Sequence, residues 1–250
     1  MADEQPLCRI SNAHTPLNTT VSGSSEEERL RAAIEATRLG FGITVETVSK
    51  LIESAASRRV QGICLPIAFV PAAVAAIEGH ADWSPDIVTV VNFPTADWAL
   101  QMVLDQTRAG VEAGANHIDM VVPGEMVMNR EWKAVAEFVS EVKSVATGLS
   151  KGALLKVILE TAALNEELIR GAAEASIEGG ADWLKSSTGF HPAGGATPAA
   201  ISLLRSIAPS HVGVKASGGV RTREQAVAML EAGADRIGTS GEATILSPVE

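Results

Sequence analysis

Four ionisable residues stand in runs that are otherwise apolar, and they are the first candidates for chemistry. They are Asp119 in His-Ile-Asp-Met-Val-Val, Lys156 in Leu-Leu-Lys-Val-Ile, Lys185 in Asp-Trp-Leu-Lys-Ser and Lys215 in Val-Gly-Val-Lys-Ala. Burial penalises an ammonium group strongly unless it is paired or neutralised. A lysine held beside another cation has a lowered pKa, so its free amine becomes available as a nucleophile at neutral pH. The pattern therefore predicts a nucleophilic lysine.

A plainer interpretation is that each lysine only neutralises a carboxylate, such as Asp119 or Glu160. For one lysine in one strand, that interpretation is the better one. Three lysines in neighbouring strands, with an acid nearby, favour a functional cluster instead.

Glycine and hydroxyl residues follow the same runs. Ser187, Thr188 and Gly189 lie in the run Lys-Ser-Ser-Thr-Gly-Phe that begins at Lys185, where small hydroxyl groups can bond substrate oxygens without filling a cavity. Glycines that let backbone N–H groups approach an anion recur in two later turns, at Gly218 and Gly219 and again at Gly238, beside Ser240. The two later turns predict a phosphate site, whereas the run from Lys185 to Phe190, taken alone, is more typical of an ordinary Ser/Thr-rich turn.

Other motifs are less specific. Asn92 ends a strand-like run and either bonds substrate or shapes the turn, and Cys64 either faces the site or is a small buried hydrophobic residue. We count both, with Lys156, among the substrate-binding candidates. The five histidines show no metal-ligand spacing, and the chain has neither a dinucleotide-binding glycine fingerprint nor a Walker loop.

Short β-branched runs that alternate with helical periodicity must position these residues. Seven runs are typical of strands: 60–65, 86–92, 117–122, 154–161, 182–187, 212–217 and 236–240. An eighth lies within Ala32–Leu39, although its Glu-Ala-Thr composition also suits a helix. Helices are expected over 45–57, 98–113, 130–147, 166–178, 198–207 and 223–232, with capping residues Asn165, Thr197 and Thr222 before the last three.

This alternation predicts parallel strands with crossover helices. The fold class is α/β, a (β/α)8 TIM barrel in a single domain, with seven strands and an open sheet as the alternative. Active sites of such barrels lie at the C-terminal ends of the strands, where the candidate residues fall. We expect residues 1–28 to form a polar N-terminal extension and residues 29–250 to form the barrel.

The bulk composition limits the function classes. A net charge of −10 over 250 residues argues against nucleic-acid or membrane-surface partners. Only Cys8 and Cys64 are present, which is too few for a disulfide scaffold. The N-terminus lacks the features of a secretory signal, so a cytoplasmic location is expected.

Five motifs together resemble the deoxyribose-phosphate aldolase family: Val-Val-Asn-Phe-Pro (90–94), Ala-Asn-His-Ile-Asp-Met-Val-Val (115–122), Leu-Lys-Val-Ile-Leu-Glu-Thr (155–161), Gly-Ala-Asp-Trp-Leu-Lys-Ser-Ser-Thr-Gly-Phe (180–190) and Val-Lys-Ala-Ser-Gly-Gly-Val-Arg (214–221). The resemblance implies a class I aldolase that cleaves 2-deoxy-D-ribose 5-phosphate to D-glyceraldehyde 3-phosphate and acetaldehyde, without metal or organic cofactor. It implies that Lys185 forms the imine, that Lys215 perturbs it, and that Asp119 moves protons with Lys215 and water. Gly218, Gly219 and Ser240 would bind the phosphate.

Two segments depart from the family pattern. Where the family carries Asp-His-Thr-Leu-Leu-Lys, this chain has Glu-Ala-Thr-Arg-Leu-Gly (35–40), so an aspartate near the sugar hydroxyls is replaced by Glu35 or lost. After Cys64, Leu65-Pro66-Ile67 replaces an asparagine or tyrosine followed by proline. The chain also ends without a C-terminal tyrosine of the kind some relatives carry.

These departures leave two alternatives open: a related imine-forming aldolase that acts on another aldehyde or a non-phosphorylated sugar, and a sugar-phosphate-binding barrel without catalysis. The resemblance also suggests a homodimer or homotetramer.

Overall fold

Eight parallel strands close into a barrel in the computed structural model, which describes residues 25–247. Each strand pairs with the next along the chain, and β8 pairs with β1. The expected TIM barrel is therefore confirmed, and the open sheet of seven strands is wrong. The strands are β1 Ile34–Thr37, β2 Gly62–Leu65, β3 Asp86–Val91, β4 His117–Val121, β5 Leu154–Ile158, β6 Trp183–Lys185, β7 Gly213–Ser217 and β8 Arg236–Thr239.

Helices surround the barrel, and their apolar faces pack against the outside of the strands. They are α1 Glu26–Ala33, α2 Val45–Arg58, α3 Val70–Ile77, α4 Leu100–Glu112, α5 Gly124–Met128, α6 Trp132–Leu149, α7 Glu166–Glu178, α8 Pro198–Ile207, α9 Arg223–Glu231 and α10 Glu242–Ile245, with single 3-10 turns at Ile67–Phe69 and Thr161–Ala163. No helix among residues 25–247 is long and apolar enough to cross a membrane.

The N-terminal segment differs from the expectation. Ser25 caps α1 by accepting a hydrogen bond from the Glu28 backbone, while the Glu28 carboxylate accepts one from the Ser25 backbone N–H at 2.7 Å. The expected boundary between residues 28 and 29 therefore falls inside a helix, and most of the proposed extension lies outside the described residues. Glu35-Ala36-Thr37, whose composition also suited a helix, lies in β1, and this strand is shorter than Ala32–Leu39 because Ala32 and Ala33 belong to α1.

The expected caps of α7, α8 and α9 are present. Asn165 accepts from Leu168 N at 2.9 Å, Thr197 accepts from Ala200 N at 3.2 Å, and Thr222 forms a capping box with Gln225. Besides α1, three helices were not predicted from the sequence: α3, α5 and α10. Each has no side-chain hydrogen bond at its N-cap, and the last two span only 5 and 4 residues, so no capping signal or long periodicity marked them.

Strand register brings the inward-pointing ionisable residues together. Asp119 in β4 pairs with Lys156 in β5, and Lys185 in β6 pairs with Lys215 in β7. Side chains alternate between the two faces of a strand, so these four residues share the interior face of adjacent strands. The fold thus places all four side chains inside the barrel, surrounded by a core of Val, Ile, Leu and Ala.

Candidate active site

Asp119 is the centre of the buried ionic cluster. Its Oδ2 accepts hydrogen bonds from Lys185 Nζ at 2.8 Å and from Lys215 Nζ at 2.7 Å. Its Oδ1 lies 3.2 Å from Lys156 Nζ. All four side chains are at most 2% exposed. The structure therefore brings together the four residues that the sequence analysis singled out first.

Glu35 is a second carboxylate in the cluster. Its Oε2 pairs with Lys215 Nζ, and its Oε1 lies 3.4 Å from Lys156 Nζ. Burial would raise the pKa of Glu35, but the charges of Lys156 and Lys215 outweigh it and lower that pKa to about 2. Glu35 is fully buried and does not line the cavity at the barrel mouth, so its observed partners are lysines. From the sequence, Glu35 was expected either to replace an aspartate near the sugar hydroxyls or to leave that aspartate lost, and its lysine contacts were not predicted.

The two lysines that share Asp119 have opposite pKa shifts. Burial lowers the pKa of Lys185, and although Asp119 raises it, the charge of Lys215 lowers it further, so it lies below the usual lysine value. Burial also lowers the pKa of Lys215, but Asp119 and Glu35 outweigh burial and raise it above the usual value. Burial raises the pKa of Asp119, whereas the three lysines hold it well below its ordinary value. Lys185 is therefore the amine that gives up its proton more easily.

Lys156 lies between two carboxylates and a histidine. Besides the Asp119 and Glu35 carboxylates, the Lys156 Nζ contacts His117, whose Nδ1 lies 2.7 Å away. The other ring nitrogen of His117 lies 3.7 Å from Asp86 Oδ1. Burial lowers the pKa of His117, and the charge of Lys156 lowers it further, to about 3. A neutral His117 can accept a hydrogen bond from Lys156 at Nδ1, so Lys156 is held between His117 and the carboxylates of Asp119 and Glu35.

A cavity of about 420 Å³ opens at the C-terminal ends of β1, β6, β7 and β8. Six of the predicted substrate or phosphate residues line it: Thr188, Gly189, Gly218, Gly219, Gly238 and Ser240. Two arginines, Arg38 and Arg221, line it as well and were not among the sequence candidates. Arg221 was visible in the quoted motif, whereas Arg38 had no motif to mark it.

The loops around this cavity pack against each other through glycine. A Cβ on Gly218 would lie 3.0 Å from the Cα of Gly195 and 3.2 Å from the Cα of Gly189. Gly218 and Gly219 have φ values of 92° and 81°, in the left-handed region that favours glycine. The loop after β7 therefore needs glycine for two reasons, its backbone conformation and the close approach of the loop after β6.

Three further candidates have distinct surroundings. Ser187 is fully buried, and its Oγ has no hydrogen-bond partner among the described residues. Asn92 uses its amide within the protein: Nδ2 donates to Val121 O at 2.8 Å and Oδ1 accepts from Trp98 N at 3.2 Å, which is the geometry of the turn-shaping alternative. Cys64 is buried, and burial raises the pKa of its thiol to about 11, so the thiol is neutral at physiological pH.

Glu160 bonds a loop and not a lysine. Its carboxylate accepts from Thr188 N at 3.2 Å and from Thr188 Oγ1 at 2.5 Å. The suggestion that Glu160 neutralises one of the lysines is not what the structure shows. Residues 25–247 contain no group of three or more His, Cys, Asp or Glu side chains arranged to hold a metal ion.

Comparison with known proteins gives a consistent result. The model of the DeoC/LacD family aldolases matches residues 20–246. A deoxyribose-phosphate aldolase of Micrococcus luteus is 39% identical over 234 residues, covering 91% of this chain and 98% of the relative. One from Kocuria rhizophila is 34% identical over 221 residues, covering 88% and 97%. The structure of deoxyribose phosphate aldolase from Aeropyrum pernix has a TM-score of 0.80 at 31% identity, covering 89% of this chain and 91% of that one. The chain belongs to the DeoC/LacD family of aldolases.

Proposed function

We propose that this protein is a class I aldolase that reversibly cleaves 2-deoxy-D-ribose 5-phosphate to D-glyceraldehyde 3-phosphate and acetaldehyde, with Lys185 as the imine-forming residue. The observation that carries the proposal is the Lys185 amine, which is buried, lies 2.8 Å from Asp119 Oδ2 and shares that oxygen with Lys215. A lysine desolvated beside another cation is an activated nucleophile. The activity of the relatives from Micrococcus luteus and Kocuria rhizophila supports the same substrate.

The reaction follows from imine chemistry. The neutral Lys185 amine adds to the C1 carbonyl carbon of the open-chain sugar, and the resulting carbinolamine takes up a proton and loses water to give an iminium ion. A base removes the 3-hydroxyl proton, the C2–C3 bond breaks, and its electron pair moves toward the iminium to form an enamine. Glyceraldehyde 3-phosphate is released at this step. Protonation of the enamine at C2, followed by addition of water, releases acetaldehyde and restores the amine.

Asp119 and Lys215 are placed to handle these protons. Asp119 lies within hydrogen-bond distance of both lysine amines, so it can accept and return a proton at the imine nitrogen or through a water molecule. Lys215 stays charged because Asp119 and Glu35 raise its pKa, which makes it a stable source of positive charge beside Lys185. Lys156 completes the charge balance and, in this proposal, acts through Asp119 and Glu35.

The phosphate group would bind in the cavity at the ends of β1, β6, β7 and β8. Gly218 and Gly219 precede α9, a helix of nine residues whose N-terminal dipole favours an anion. Gly238 and Ser240 line the same cavity from the loop after β8, and Thr188 and Gly189 line it from the loop after β6. The unpartnered Ser187 hydroxyl, two residues after Lys185, is free to bond a substrate oxygen.

Several partner expectations belong to the same proposal. The reaction needs no cofactor, and the small-molecule partners are the sugar phosphate and the two aldehydes. The structure of the Aeropyrum pernix relative is described as tetrameric, which supports a homo-oligomer for this chain. A cytoplasmic location stays a prediction.

Reductive trapping tests the proposal. The protein is incubated with acetaldehyde, reduced with borohydride and digested, and mass spectrometry is expected to find the ethyl adduct on Lys185. Lys185→Ala should abolish trapping, whereas the matched control Lys133→Met, which changes a lysine that is 91% exposed on α6, should retain it. An adduct on Lys156 or Lys215 would overturn the assignment, and no adduct at all would leave the sugar-binding alternative. Turnover of 2-deoxyribose with and without its 5-phosphate then tests the substrate.

A further inference from the structure

Arg38 and Glu242 form an ion pair beside the proposed phosphate site. Arg38 directly follows β1, and its Nη1 and Nη2 each lie 3.2 Å from a different oxygen of the Glu242 carboxylate. Nη1 also donates to Thr37 O at 2.8 Å. The pair is bidentate, which is the strongest geometry for arginine and a carboxylate, and it joins segments 204 residues apart.

The two members of the pair differ in exposure. The Arg38 side chain is 29% exposed and lines the cavity, whereas the Glu242 side chain is 1% exposed and does not line it. Glu242 begins α10, two residues after Ser240, so its negative charge lies directly behind the loop that would hold the phosphate. Its other hydrogen-bond partner among the described residues is the neutral hydroxyl of Ser54, at 3.2 Å. Arg38 is thus the cation that balances a buried carboxylate at this site.

We propose that Arg38 is a positioning residue for phosphate recognition: it neutralises Glu242 and holds the loop from Gly238 to Gly241 against the end of β1. This inference rests on the phosphate site of the proposed function. A carboxylate left without its partner behind that loop would repel a phosphate dianion and would draw water into the wall of the cavity.

The contacts favour action through Glu242 over direct contact with the phosphate. Both terminal nitrogens of Arg38 already face Glu242, and one of them is also bonded to the Thr37 carbonyl. Arg221 lines the same cavity, and its guanidinium forms no hydrogen bond or ion pair with the described residues, so a phosphate has a cation nearby without breaking the Arg38 pair.

A double-mutant cycle with inorganic phosphate as the probe tests this role. Calorimetry measures the phosphate Kd of the wild type, Arg38→Met, Glu242→Gln and the double variant. We expect Arg38→Met to weaken binding about tenfold or more, Glu242→Gln not to weaken it, and the double variant to return to within about threefold of the wild type. A double variant as weak as Arg38→Met would overturn the inference, because Arg38 would then act on the phosphate itself. An unchanged Kd in Arg38→Met would overturn it too.

A matched control separates positioning from lost stability. Arg205 pairs with Asp235 at 3.0 Å, and the two side chains are 17% and 3% exposed. The pair lies next to the N-terminal ends of β7 and β8, at the opposite end of these strands from the cavity. Arg205→Met is expected to lower stability without changing the phosphate Kd. Should Arg38→Met not fold, Arg38→Lys keeps the charge, and a loss of about tenfold in that variant would contradict neutralisation as the role.

The kinetic readout distinguishes this inference from the proposed function. In Arg38→Met, the ratio of kcat/KM for deoxyribose 5-phosphate over free deoxyribose should fall about tenfold, and the double variant should restore it. Failure of imine trapping in the wild type would overturn the aldolase proposal. Successful trapping by a wild type that does not bind inorganic phosphate would overturn this inference alone.

Discussion

Lys185 and Lys215 donate hydrogen bonds to the same oxygen of Asp119, at 2.8 and 2.7 Å. Lys215 also has a second carboxylate, Glu35, whereas among the described residues Lys185 forms an ion pair with Asp119 alone. This asymmetry explains the opposite directions of their pKa values. The site thus contains one lysine that is held charged and another that is poised to be neutral.

The charge of Lys215 should control the pH dependence of imine formation. Lys215→Met removes a cation that lowers the pKa of Lys185, so that pKa should rise. Each unit of rise reduces the neutral amine at pH 7 about tenfold. The rate of borohydride trapping, measured against pH, is expected to show a midpoint at higher pH than in the wild type. A midpoint that stays in place or moves to lower pH would contradict the role given to Lys215.

Asp119→Asn should separate imine formation from turnover. The amide keeps the shape of the side chain but removes a charge that raises the pKa of Lys185, so trapping should persist and extend to lower pH. Proton transfer through Asp119 is lost, and kcat for deoxyribose 5-phosphate is expected to fall about 10²- to 10⁴-fold. Turnover near the wild-type value would exclude Asp119 from the proton transfers.

The same variant should also be less stable. Lys156 and Lys215 would keep only Glu35 as a carboxylate partner, and Lys185 would lose the one it has among the described residues. Breaking a buried ion pair costs about 3–5 kcal/mol. Urea denaturation compares the free energy of unfolding of the variant and the wild type. The kinetic comparison therefore has to be made under conditions in which both proteins are folded.

His117 should contribute to acid sensitivity. Its folded-state pKa is about 3, because burial and then Lys156 lower it from 6.5. Between these values the unfolded chain binds more protons, so the stability contributed by neutral His117 is lost as the pH falls. His117→Asn retains an acceptor for Lys156 but does not titrate. When the pH falls from 6.5 to 4.5, the free energy of unfolding of this variant should therefore decrease by about 2 kcal/mol less than that of the wild type.

Denaturation at several pH values measures this difference, with His211→Asn as the control because His211 is exposed. The range ends at pH 4.5 because the pKa of Glu35 changes from 4.5 in the unfolded chain to about 2, so its contribution is lost below that pH. Equal slopes for His117→Asn and the wild type would mean that folding does not lower the pKa of His117.

The sequence was sufficient to predict the barrel and the convergence of Asp119, Lys156, Lys185 and Lys215. Consecutive parallel strands must be neighbours, and each of these residues stood inside an apolar run, so a shared interior was the expected result. The two glycine turns were predictable for the same reason, since the loops after β7 and β8 are adjacent at the mouth of such a barrel.

Contacts that depend on register and on short segments could not be predicted. Glu35 lies in a strand of four residues whose composition resembles a helix, and its lysine partners follow from the closure of β1 on β8. Arg38 and Glu242 are joined across 204 residues by the same closure. Glu160 bonds Thr188, and Asn92 bonds backbone groups. Both sets of hydrogen bonds depend on the left-handed backbone conformations of Glu160 and Asn92, whose φ values are 58° and 52°.

Gly218→Ala and Gly219→Ala should fail in different ways. Both glycines are left-handed, so alanine costs about 1–2 kcal/mol at either position. A methyl group on Gly218 also meets the backbones of Gly189 and Gly195, so this variant should lose more stability, as thermal unfolding would show. Nothing lies within 4 Å of the Cβ position at Gly219, which lines the cavity, so Gly219→Ala should raise KM for the phosphorylated sugar but not for free deoxyribose. Gly180→Ala is the control, because Gly180 precedes β6 at the other end of the barrel and its φ of 89° gives alanine the same backbone strain. An equal rise in KM for the phosphorylated sugar in Gly180→Ala would refute the phosphate site.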